Sequence, residues 1–256
     1  MTHTTTGAEA KTGTRTGTDT APPSEQGADD ARLTGTWLTL LRLNLASKAV
    51  QYDLRDAAAL HRRVMSLVPD GLGDSPRARS GLLFRLDQGA PGAPALLVQT
   101  RTTPDLERLP ADYAHARTKS ITPLLDALRP GLGVHYRLLG NAVKRCGRNS
   151  TEGRWKQALT LYGPDAEAWW TERADKAGLT LHTLQSDACD TLTAWHGGAG
   201  AGRADRTAVH HKGTRFEGTA TIRDADALRQ ALLHGIGRAK SYGCGLLSLA
   251  PAHPAT

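Results

Sequence analysis

His61, in the run LHRRV, supplies an imidazole, the side chain that titrates nearest neutrality and so suits proton transfer. Towards the carboxyl end the chain reads HGIGRAKSYGCGLLSLAP, from His234 to Pro251, where Gly235, Gly237, Gly243 and Gly245 free the backbone for positive φ. N–H groups exposed at Gly237 and Gly243, flanked by Arg238 and Lys240, suit phosphate oxygens. The same spacing equally fits a helix stop followed by a tight turn into a strand. A further run of cations, Lys144, Arg145, Arg148, Arg154 and Lys156, surrounds GRNSTEG with Glu152 as its one acid. It reads either as a solvated loop or as a surface for backbone phosphates, and the density of cations favours the second.

Other chemistries fit poorly. A glycine loop that cradles a nucleotide runs from a strand into a helix, whereas here a helix precedes the loop and a strand follows it. No HExxH or CxxC is present, and His210-His211 lacks a third ligand at an ordinary spacing, so neither a metal nor another cofactor is expected. His61 lies about 60° from Val64 on a helical wheel, at the edge of the buried arc. By position alone it reads first as a boundary histidine packed on the first strand.

The elements that must position these residues alternate in a regular way. TWLTLLRLN, Thr36 to Asn44, alternates as a strand; Ala57, Leu60, Val64 and Leu67 fall at helical spacing between Asp53, a candidate cap, and the Pro69-Asp70-Gly71 stop. GLLFRLD and PALLVQTR follow as strands around the turn-forming GAPGA, then a helix over Ile121 to Leu128 and a strand over Gly133 to Leu139. The order is β-α-β-β-α-β, the ferredoxin-like arrangement. The second half repeats it: WKQALTLYG, a helix from Asp165 to Gly178, LTLHTLQS, the GGAGAG break at 197–202, TRFEGTATI, a helix capped by Asp224, and GLLSLAP. The expected fold is α+β, two tandem ferredoxin-like (RRM-like) βαββαβ domains with antiparallel sheets, over 36–143 and 144–256. Trp169-Trp170 reads as core, because Ala166, Trp169 and Ala177 share one helical stripe. Cys244 reads as a small buried residue.

Composition agrees. Residues 1–35 are rich in Thr, Gly, Ala and Asp without an aromatic, and predict a disordered tail. The tail sets Lys11, Arg15 and Arg32 against Glu9, Asp19, Glu25, Asp29 and Asp30, a net of −2 that leaves +9 for the rest of a 256-residue chain whose net charge is +7. Such a body suits a polyanionic partner. Neither an export signal nor a run long enough to span a bilayer is visible, and three scattered cysteines fit a reducing cytoplasm.

The wording of the motifs goes beyond spacing. GIGRAKSYGCGLLSLAP resembles the carboxyl-terminal signature of the CRISPR-associated endoribonucleases of type I-E systems, the CasE or Cse3 family. TWLTLLRLN, LHRRV before a Pro-Asp turn, LLFRLD, LLVQTR, YRLLGNAVKR and FEGTATI match in the same order, so the resemblance runs from about Trp37 to Pro251.

That resemblance implies two ferredoxin-like domains that bind the stem-loop of the CRISPR repeat transcript (pre-crRNA and, after the cut, crRNA), cut it once without a metal, and stay on the product with the other subunits of Cascade. It makes His61 the catalytic histidine and puts the basic run near the RNA stem. A metal-free cut uses the substrate's 2′-hydroxyl as nucleophile and leaves a 2′,3′-cyclic phosphate and a 5′-hydroxyl. One departure stands out. The family commonly has a tyrosine three residues before the histidine, and here that position is Ala58. Tyr52, Lys48 and Arg62 are the substitutes nearest in sequence. The alternative is a catalytically silent subunit that holds the hairpin; a basic RNA-binding regulator unrelated to CRISPR has the charge and the fold pattern alone behind it.

Overall fold

The computed structural model describes residues 35–87, 94–196 and 207–252, with the side chains of 190–196 and 207–211 excepted. The expected tail and the GGAGAG break lie outside the described residues, apart from Gly35.

The first sheet has the order β2-β3-β1-β4, all antiparallel, from β1 (Trp37–Leu43), β2 (Leu83–Asp87), β3 (Ala95–Thr100) and β4 (Ala114–Ser120). This is the ferredoxin-like order. Alternation puts Thr39, Leu41 and Leu43 of β1 into the core, where they meet Val98, Leu96 and Phe84 from the neighbouring strands and Val50, Leu60 and Val64 from two helices, α1 (Lys48–Asp53) and α2 (Ala57–Met65). A short helix α3 (Pro76–Arg79) leads into β2, and a 3₁₀ turn, Leu106–Arg108, stands where the fold's second helix would run.

The second sheet repeats the order as β11-β5-β10-β8, with β9 also paired to β10. Its strands are β5 (Gly133–Gly140), β8 (Leu179–Leu181), β9 (Gln185–His196), β10 (Thr207–Ile222) and β11 (Leu247–Pro251); a hairpin of β6 (Val143–Arg145) and β7 (Ala158–Thr160) is inserted after β5. Its covering helices are α5 (Gly163–Lys176) and α6 (Ala225–His234), while α4 (Thr122–Asp126) lies between the sheets in the chain. The Trp169 and Trp170 rings stack on Phe216 at 5.8 and 5.9 Å, so the tryptophan pair is core, as its helical stripe implied. Asp224 caps α6 by accepting from the N–H groups of Asp226 and Ala227.

Three readings of the sequence need correction. The strand expected over WKQALTLYG does not enter the second sheet, since among the described residues its β7 pairs with β6 alone. The strand over Gly133 to Leu139 does not close the first sheet; it pairs with β10 and β11 and opens the second, so the change of sheet falls before Gly133 and not at 143/144. Its expected place is taken by β4, AHARTKS, an edge strand whose polar residues face water. Asp53 does not cap the helix of His61 but ends α1, buried, where it accepts from Arg63 Nε at 2.8 Å and Tyr113 Oη at 2.9 Å. Asp56 is the cap, accepting from Ala58 N at 2.9 Å.

The two sheets are joined by side chains of the first. Arg85, 4% exposed, donates through Nη1 to Ser248 Oγ at 2.9 Å and to the carbonyl of Leu246 at 3.3 Å, while Nε reaches Asp87 at 2.7 Å. Gln99 Nε2 donates to the Leu232 carbonyl at 2.8 Å. Both bring a satisfied polar group into the seam, which fixes how the carboxyl-terminal segment meets β2.

Candidate functional site

Helix α2 turns Ala59, Leu60 and Val64 inward and leaves His61 half-buried at the margin. The His61 imidazole lies nearly parallel to the Phe84 ring, and its Nδ1 is shielded from solvent without a hydrogen-bond partner among the described residues. Burial lowers its pKa below the ordinary 6.5, and the positive charges of Arg77 and Arg62 lower it further. The ring is thus neutral near pH 7 and ready to accept a proton.

The glycine-rich segment comes to the same place. After α6 ends at His234, Gly235, Gly237, Gly243 and Gly245 all adopt positive φ, between 72° and 93°. Ile236 N donates to the Gly245 carbonyl at 2.9 Å, and Gly245 N to the Leu139 carbonyl at 2.8 Å, so the loop is closed on itself and pinned to β5. A Cβ on Gly243 would stand 3.2 Å from the Phe84 ring. Phe84 therefore has His61 against it from one element and Gly243 from another. The 3₁₀ turn Lys240–Tyr242 packs on α2, and burial together with the Asp56 carboxylate pushes the Tyr242 phenol up, so it stays protonated.

Placement of the expected residues is uneven. Lys240 is half-buried, and burial and Arg77 lower its pKa; Gly237 and Arg238 are exposed beside it. Gly243 departs from expectation: it is buried and its N–H donates to the Lys240 carbonyl, so it serves packing on Phe84 and offers no free donor to a phosphate. Of the three substitutes for the missing tyrosine, Arg62 acts on the His61 field and pairs loosely with Asp56 at 3.8 Å, while Tyr52 and Lys48 are exposed on α1. Arg77 belongs to no motif of the sequence; its charge acts on His61 and Lys240, which the chain brings from far away.

The basic run forms a second group, on the hairpin of β6 and β7. Lys144, Arg145, Arg148, Arg154 and Lys156 are all exposed, and Lys144 pairs with Glu152 at 3.0 Å. Trp155, also exposed, has Lys156 Nζ 4.1 Å and the Arg148 guanidinium 5.2 Å from its ring centre. No hydrogen bond or ion pair among the described residues joins this group to that of His61. Among the described residues no three His, Cys, Asp or Glu gather as a metal site, and no helix is long and apolar enough to cross a membrane; the side chains of His210 and His211 lie outside them.

A family model described as CRISPR associated protein matches residues 36–251. The chain is 30% identical over 225 residues to the CRISPR-associated endoribonuclease Cse3 of Thermus thermophilus, an alignment covering 84% of this chain and 100% of that one. It is 29% identical over 203 residues to the CRISPR system Cascade subunit CasE of Escherichia coli, covering 77% and 93%. Its fold matches the structure of Thermus thermophilus Cse3 bound to an RNA representing a pre-cleavage complex, with a TM-score of 0.68, 28% identity, and 85% and 100% coverage.

Proposed function

The chain belongs to the CasE/Cse3 family of CRISPR-associated proteins, and from that premise we propose that it is a metal-independent endoribonuclease. It binds the stem-loop of CRISPR repeat RNA, cuts it once, and stays on the product as a subunit of Cascade. The observation that carries the cutting step is His61: a neutral, half-buried imidazole under the field of two arginines, with Lys240 close to one of them.

In the reaction, the substrate's 2′-hydroxyl attacks the adjacent phosphorus and gives its proton to the His61 imidazole. The bond to the 5′-oxygen breaks, the imidazolium returns the proton to that oxygen, and the products are a 2′,3′-cyclic phosphate and a 5′-hydroxyl. Cations beside the imidazole offset the charge gathering on the phosphate oxygens. The exposed cations of Arg145, Arg148, Arg154 and Lys156 suit the phosphates of the stem, whose shape and backbone they meet without reading sequence.

Ala58 favours a second reading, a subunit that holds the hairpin without cutting it, since a methyl group stands where relatives of the family commonly have a phenol. Incubation with repeat RNA in EDTA separates the two. Cleavage by the wild type, lost in His61→Ala and with a 2′-deoxy substrate, supports the nuclease; tight binding without cleavage supports the silent subunit.

A further inference from the structure

Arg77 is clasped to the start of β2. Its Nη1 donates to the Leu82 carbonyl at 3.2 Å, and Leu82 N donates to the Arg77 carbonyl at 3.0 Å, two residues before the ring of Phe84 that lies against His61. Lys240 comes from a different element, on the loop that Gly243 seats against the same ring, its stem beside Gly245, where a Cβ would stand 3.3 Å from Lys240 Cγ. Three separate elements, α2, α3 and the carboxyl-terminal loop, thus carry an imidazole, a guanidinium and an ammonium, and the Arg77 charge acts on both of the others.

The charges there are unbalanced. Among the described residues no carboxylate pairs with Arg77, whose pKa burial alone lowers, and Lys240 is lowered by burial and then by Arg77 itself. Asp56, at the start of the His61 helix, accepts from the Ala58 N–H, pairs with Arg62 and adds to burial in holding the Tyr242 phenol up. Two cations held together and partly desolvated raise the energy of the empty site, and an anion removes that cost. A guanidinium has five donors in a planar fork, and the Leu82 carbonyl takes one of Arg77's.

We propose that Arg77 grips one backbone phosphate of the bound RNA beside His61, with Lys240 on its other side, and is a catalytic residue that carries the charge-neutralising part of the step where Ala58 offers nothing. The assignment rests on the reading that the chain binds repeat hairpin RNA.

The test is a binding cycle that needs no cleavage. Repeat hairpins are prepared with an uncharged methylphosphonate at each linkage in turn, each preceded by a 2′-deoxynucleotide, beside matching hairpins with the ordinary phosphate. At one linkage the wild type should lose about tenfold or more in affinity, the scale of a hydrogen bond to a charged group. In Arg77→Met, which keeps the stem, that loss should shrink to less than about twofold, and Arg77→Lys should restore part of it. If both variants lose the same factor as wild type at every linkage, Arg77 meets no phosphate and the proposal is overturned while RNA binding stands. A wild type that fails to bind the hairpin overturns both.

Discussion

The imidazole of His61 lies 6.3 Å, centroid to centroid, from the ring of Phe84, with the two planes 22° apart. Phe84 is 1% exposed and also backs Gly243, so one core side chain sets the distance between the helix of His61 and the glycine-rich loop. A change at Phe84 moves a proton acceptor without removing it.

Phe84→Leu should therefore keep the fold and RNA affinity while lowering single-turnover cleavage about tenfold or more, because small misplacements of a reacting group are costly. Phe84→Ala should in addition lose about 3–5 kcal/mol of stability. Paired denaturant melts and cleavage rates check this; an equal loss of affinity and rate in Phe84→Leu would speak against a positioning role.

The His61 ring should titrate below 6.5 in the free protein, seen in its ring-proton NMR shifts. Arg62 and Asp56 lie on its own helix and cap, the 3₁₀ turn packed on that helix brings Lys240 and Tyr242, and β9, also packed on it, carries Asp187 paired with Arg215; the charges that act on the ring are those of Arg77 and Arg62. Removing a cation stabilises the imidazolium, so Arg62→Ala should move the titration up towards 6.5. Because the unfolded chain takes this proton first, the linked stability is full above pH 6.5 and falls as pH drops through that value. A ring that titrates at 6.5 or higher would remove the electrostatic basis for a neutral His61.

The basic hairpin makes a salt-dependence prediction. Arg145 and Arg148 are exposed and free of carboxylate partners among the described residues, whereas Lys144 is already paired with Glu152. Replacing Arg145 or Arg148 by Ala should reduce the slope of log K against log salt by about 0.7–0.9 each. Lys144→Ala should reduce it by less, since its charge is partly answered before RNA arrives. Unchanged slopes in all three variants would take this hairpin out of the RNA surface.

Both ferredoxin-like units were visible in the sequence because their inner strands and long helices alternate clearly: Thr39, Leu41 and Leu43 face one way, and Trp169 and Trp170 sit on a helical stripe. The edge strand AHARTKS was not, because an edge that faces water on one side lacks an apolar run. Its omission pulled Gly133–Gly140 into the wrong sheet, since the strand count came out right one element late. His61 was singled out by family likeness more than by pattern, for a margin position on a helix does not reveal what lies across from it. Arg77 and Lys240 are far apart in the chain, and only folding brings their charges together.

Arg85→Met keeps most of the side-chain volume but leaves the buried Leu246 carbonyl, the half-buried Ser248 hydroxyl and the Asp87 carboxylate without their shared donor. The cost of unmade buried hydrogen bonds, about 1–3 kcal/mol apiece, sets the expected loss at roughly 3 kcal/mol, read from denaturant midpoints. Because Leu246 follows directly on Gly245 and Ser248 stands two residues further on, the same substitution should loosen the loop that carries Lys240 and seats Gly243 against Phe84. Faster amide exchange at Ile236 and Gly245, beyond what the lost global stability accounts for, would tie the seam to the site. Exchange that rises only in step with global unfolding would leave Arg85 a structural residue and nothing more.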